Sequence, residues 1–97
     1  MHDDTSPDGA AVLTVTGEID MHTAPQFRQA LTQAAVSHPR LIVDVTALAY
    51  LDSAGIAALF AAARHTELEL ILGPGCLVTL VIEISKLEHV ATISLRQ

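Results

Sequence analysis

Basic residues are scarce: five Lys and Arg stand against eleven Asp and Glu, for a formal net charge of −6. No basic run occurs, which argues against nucleic acid as a partner, because phosphate neutralisation supplies most of that affinity. The same shortage argues against an anionic membrane surface. Cys76 is the only cysteine, so an internal disulfide is excluded and a reducing cytoplasm is the expected setting. Tryptophan is absent and the aromatics are Phe27, Tyr50 and Phe60, so the core must be built from Ala, Val, Leu and Ile. The most apolar stretch, Cys76 to Ile84, is too short to span a bilayer. The acidic start Met1-His2-Asp3-Asp4 is the opposite of a signal peptide.

What remains is a chain that is 51% hydrophobic and 16% charged, a composition that folds. Its 97 residues make one small domain. Residues 1–10 are polar, with a Ser6-Pro7-Asp8-Gly9 turn signal, and form either a tail or a short first strand over Asp3 to Ser6. Residues 11–97 carry the domain proper. Ala11 to Thr16 alternates as a strand with Leu13 and Val15 on one face, ended by Gly17 to Asp20. Thr23, with Gln26 three residues on and Pro25 between, predicts a capped helix start. Phe27, Ala30, Leu31 and Ala34 form its buried stripe, and Ser37-His38-Pro39 stops it.

Leu41 to Val45 reads as a buried strand. Ser53 is the expected N-cap of a second helix running from Ala54 to about Arg64, with Ile56, Leu59, Phe60 and Ala63 inward. Glu67 to Leu72 is a strand closed by Gly73-Pro74-Gly75. A third helix spans Leu77 to Lys86 with Leu77, Leu80, Val81 and Ile84 in register, and Val90 to Leu95 is a last strand. Strands alternating with helices predict an α/β fold: a single small domain with a mixed, mainly parallel sheet of four to five strands covered by helices.

In such a sheet, sites form beyond the carboxyl ends of strands. The turns 17–23 and 46–53 fall there, which would bring Asp20, His22 and Thr23 near Asp52 and Ser53. Three readings of Ser53 arise. As a hydrolase nucleophile it fails the Gly-x-Ser-x-Gly pattern, because Leu51 stands two residues before it. Glu67 or Glu69 with His89 would satisfy the order of a triad, but the chain is very short for that fold. As an N-cap it would stabilise its helix by roughly 1 kcal/mol. As a phosphoacceptor it has a hydroxyl at the surface and free helix amides behind it, where an anion is tolerated. No two of His2, His22, His38, His65 and His89 share a helix at metal-ligand spacing, so no metal or other cofactor is expected.

The stretches VLTVTGEIDMHTAPQFRQAL, LIVDVTALAYLDSAGIAALF and IEISKL together resemble the STAS domain, specifically the bacterial anti-sigma factor antagonists. In that family one strand leads into Gly-Glu-(Leu/Ile)-Asp and a helix, and another into Asp-Ser-(Ser/Ala)-Gly and a helix. The resemblance spans roughly residues 11–93. It implies a regulatory switch, not an enzyme. Such a protein binds an anti-sigma factor serine kinase and so releases a sigma factor. It is switched off by phosphorylation of the serine that is Ser53 here, and a separate phosphatase reverses this. Asp20, His22, Thr23, Asp52, Ser53, Ala54 and Gly55 are the implied partner-binding residues. The alternative the resemblance allows is a STAS subunit of a lipid-transport ATPase complex or a stress-signalling scaffold.

The sequence departs from the family pattern in three places. Only ten polar residues precede Ala11, the chain stops at Gln97 where a C-terminal helix is usual, and Lys86 stands where a glycine commonly ends the third helix. That helix is apolar nearly all round. A homodimer through the 77–86 helix, a bound partner helix, or burial on more than one side would each account for it.

Overall fold

The computed structural model describes residues 1–74 and 77–96. Its main sheet has five strands in the order β1 (His2–Thr5), β2 (Ala11–Thr14), β4 (Arg40–Asp44), β6 (Glu67–Leu72) and β7 (Thr92–Leu95). β1 runs antiparallel to β2 and every other pair is parallel. The polar N-terminus is therefore a strand, joined to β2 by the Ser6–Gly9 turn with Gly9 N donating to Ser6 O at 2.9 Å. Helices α1 (Ala24–Ser37), α2 (Ser53–Ala63) and α3 (Leu77–Ser85) make the crossovers, and a 3-10 turn (Leu87–His89) precedes β7.

The strand order never reverses. Right-handed crossovers that always step the same way put every helix on the same face, and burial agrees. Ala11, Leu13 and Val15, then Leu41, Val43 and Val45, then Leu68, Leu70 and Leu72 join one core with Phe27, Leu31, Leu59, Val78, Ile82 and Leu87. The alternate residues Val12, Ile42, Asp44, Glu69, Ile71 and Ser94 are only half-buried. The helices thus cover one face of the sheet, and among the described residues no helix covers the other. There Arg40 Nη2 reaches Glu69 Oε1 at 3.4 Å, and Arg96 Nη1 reaches Asp44 Oδ2 at 3.1 Å. Burial alone would push the Asp44 carboxyl up, but hydrogen bonds from the Thr46 hydroxyl and amide, with Arg96 beside it, hold it below the usual range.

Two further strands are present that the sequence pattern does not predict. β3 (Gly17–Ile19) and β5 (Leu48–Leu51) lie inside the crossovers and pair in parallel as a separate two-stranded ribbon. They are too short to alternate: only Ile19, Leu48 and Leu51 are buried. Gly17 turns the chain from β2 into β3 at φ 82°, a left-handed conformation that favours glycine.

α3 corrects an expectation. The residues it buries are Val78, Thr79 and Ile82, whereas Leu77, Leu80 and Ile84 are more than half exposed. A helix apolar all round cannot set its own rotation. On the buried side the Thr79 hydroxyl donates to Gly73 O at 2.6 Å, a bond that favours the observed rotation. The exposed side is the surface on which a homodimer through the 77–86 helix would form. Cys76 and the end of the Gly73-Pro74-Gly75 turn lie outside the described residues.

Lys86 ends α3 with φ 66° and ψ 29°, the left-handed geometry in which glycine is usual. A side chain there costs about 1 kcal/mol. Lys86→Gly is expected to raise stability by somewhat less than that, since glycine also loses more chain entropy on folding. Urea denaturation followed by circular dichroism checks this; an unchanged or lower midpoint counts against the assignment.

Candidate functional site

The ribbon carries the two motifs. Ile19 and Leu51 are register partners at its carboxyl end, and Asp52 N donates to Ile19 O at 3.0 Å. Asp20 and Asp52, the next residues of each chain segment, therefore leave side by side and open the turns into α1 and α2. The proximity expected from the sequence holds, but at the end of the ribbon and not of the main sheet.

At the first turn Asp20 does the capping. Its Oδ1 accepts from His22 N at 2.8 Å and Thr23 N at 3.1 Å, while its carbonyl accepts from Ala24 N at 2.8 Å. The amides of His22 and then Thr23 hold the Asp20 carboxyl below the usual carboxylate range. Thr23 precedes α1 but makes no side-chain cap, because its own backbone is already helical at φ −99°, ψ −16°. Its hydroxyl instead accepts from Asp20 N at 2.9 Å and donates to Glu18 O at 3.0 Å, tying the turn back to β3. The Thr23–Gln26 capping box is thus replaced by a closed Asp20–Thr23 loop.

At the second turn the cap moves by one residue. Asp52, extended at φ −95°, ψ −176°, is the N-cap, with Oδ1 accepting from Gly55 N at 3.0 Å. Ser53 is the first helical residue and is exposed. Among the described residues nothing hydrogen-bonds its hydroxyl. The N-cap role expected for Ser53 is filled by its neighbour, which leaves the serine oxygen free at the surface.

Gly55 shows why α2 starts where it does. It is buried, and a Cβ there would overlap Leu51 Cδ1 and lie 2.9 Å from Ile19 Cγ2. The first turn of α2 rests directly on the ribbon, so Gly55 sets the spacing of the site. Gly55→Ala would gain helix propensity worth about 1 kcal/mol but must displace Leu51 or Ile19, at about 1–3 kcal/mol. A net loss of stability is expected, with the Asp20 and Asp52 amides among the most perturbed in NMR spectra. A more stable variant with unshifted amides would refute this steric role.

Ala54 is exposed beside Ser53 and, with Met21, Ala24, Pro25 and Arg28, lines a shallow cleft of about 150 Å³ between the starts of α1 and α2. His22 is exposed on the adjoining turn. Met21 and Arg28 were missed from the sequence. Arg28 follows Phe27 in α1, and only its place one turn beyond Ala24 hints that it borders α2. A larger hollow of about 250 Å³ lies between β1, β2 and α1, and no candidate residue lines it.

Glu69 is committed to Arg40 and Ser94 on the open face of the sheet, away from the helix layer, and no histidine among the described residues bonds the serine. Nor, among those residues, do three or more His, Cys, Asp or Glu converge as metal ligands.

A family model described as Mlab, STAS domain, matches residues 2–89. The chain belongs to the STAS-domain family. This STAS domain superposes on the crystal structure of an anti-sigma factor antagonist from Mycobacterium paratuberculosis. The two are 26% identical, with a TM-score of 0.84 over 96% of this chain and 82% of that one. It also resembles the anti-sigma factor antagonist SpoIIAA in its unphosphorylated form, at 19% identity, TM-score 0.76, covering 96% and 86%. The Bacillus cell fate determinant SpoIIAA in its phosphorylated form gives 19%, 0.63, 96% and 91%. No curated protein matches at a significant level. No helix of the STAS domain, among the described residues, is long and apolar enough to cross a membrane.

Proposed function

We propose that this STAS domain is an anti-sigma factor antagonist. Unphosphorylated, it binds an anti-sigma factor that is a serine kinase, and so releases a sigma factor. The kinase transfers the γ-phosphoryl group of ATP to the Ser53 oxygen, the hydroxyl proton and ADP depart, and the modified domain no longer docks. A phosphatase restores the free hydroxyl.

The observation that carries this reading is the exposed hydroxyl of Ser53 on the first turn of α2, unbonded among the described residues, with Asp52 taking the capping role a serine would otherwise fill. Asp20 and Asp52 flank it. Likeness to the mycobacterial antagonist supports the general role. The exposed Leu77, Leu80 and Ile84 of α3 supply apolar area of the kind a protein partner covers.

The test is mass spectrometry of the protein isolated from its own cells, combined with identification of what co-purifies. A kinase that elutes only with the unphosphorylated form is the expected result. Recovery of a transport ATPase or a stress-signalling assembly, with Ser53 never modified, would favour the alternative STAS roles instead.

A further inference from the structure

We propose that Arg28 is the intramolecular counter-charge for a phosphate carried on Ser53, clamping the first turn of α2 to α1 in the modified state. The inference rests on the reading of Ser53 as phosphoacceptor. Arg28, on α1, and Ala54, the residue after Ser53, line the same cleft. The rest of its wall is Met21, Ala24 and Pro25, which offer no competing charge. Among the described residues Arg28 makes no ion pair, although two carboxylates stand at this end of the molecule.

Those carboxylates are already engaged. Asp20 accepts the amides of His22 and Thr23, and Asp52 accepts the amide of Gly55. A phosphate of about −1.5 to −2 charge on Ser53 therefore meets Asp20 from the first turn and Asp52 from its own, both repulsive. His22 is exposed on the adjoining turn. Arg28 is the permanent cation across the cleft. Its planar guanidinium presents two N–H groups to a phosphate at about 2.7–2.9 Å, a geometry lysine does not reproduce.

The clamp is tested by installing phosphoserine at position 53 during synthesis of the full chain, without the kinase, and following the phosphate by ³¹P NMR as a function of pH. The midpoint in the unmutated background is expected to lie on the order of one pH unit below that of Arg28→Gln, with Arg28→Lys between them. The gap should narrow in high salt. The comparison is repeated with His22→Gln present, and a gap that vanishes there belongs to His22 and overturns the assignment. Coincident midpoints overturn it as well. Arg28 is exposed, so the unmodified Arg28→Gln protein should melt with the unmutated one, which keeps folding out of the result. Because the phosphate is placed without a kinase, the two readings fail separately. A shifted midpoint in a protein that no kinase modifies retains the clamp and removes the switch. Coincident midpoints in a protein that a kinase does modify do the reverse.

Discussion

Ser53→Asp is expected to weaken binding of the kinase proposed as partner more than a hundredfold, while Ser53→Ala stays within about threefold of the unmutated protein. The reasoning compares two environments for the same charge. On the free domain a negative group at the start of α2 gains about 0.3–1 kcal/mol from the helix terminus, and screened repulsion from Asp20 and Asp52 offsets most of that. Neither variant should therefore unfold. Under a docked partner the same charge loses its water. An uncompensated buried charge costs about 3–5 kcal/mol, and each 1.4 kcal/mol is about tenfold in affinity. Removing the hydroxyl costs little, because among the described residues nothing bonds it. Calorimetric titration of both variants against the kinase decides the matter: equal affinities would mean that Ser53 does not gate docking.

Phe27→Ala is expected to lower stability by about 3–5 kcal/mol. Phe27 is fully buried beneath α1 and is the largest side chain in the core. With no tryptophan and few aromatics, nothing nearby can expand to fill the space it leaves. A domain of this size holds about 5–15 kcal/mol in total, so the midpoint of thermal unfolding should fall by on the order of 20 °C. Val36→Ala on the same helix, at a position 77% exposed, should change stability by no more than about 0.5 kcal/mol. Thermal melts followed by circular dichroism compare the two, and similar shifts would show that the core is not centred on Phe27.

Much of the fold was legible because burial alternates cleanly where strands are long. β6 spans Glu67–Leu72 as expected, and the buried Leu41 and Val43 mark β4. The ribbon was hidden because three or four residues cannot display a period, and Leu48 and Leu51 read equally well as turn residues. The cap at α2 was misplaced by one residue because Asp52 and Ser53 are both good N-caps by chemistry. The steric fit of Gly55 against Leu51 and Ile19 decides between them, and that contact spans residues far apart in sequence. α3 was rotated wrongly because six apolar side chains outvoted one threonine. Asp20, Asp52 and Ser53 were found together because strand ends and helix starts are written locally. Arg28 was not, because its relation to Ala54 depends on how two helices pack.

The ribbon also ties the fates of the two helix starts together. β3 and β5 bond to each other and form no part of the main sheet. A brief detachment of either strand releases the anchors of Asp20 and Asp52 at once, since Asp52 N is held by Ile19 O. The two turns are therefore expected to open as one unit. On the function proposed above, a partner that grips one turn would order the other without touching it, and the surface it meets would be set by a latch of a few residues.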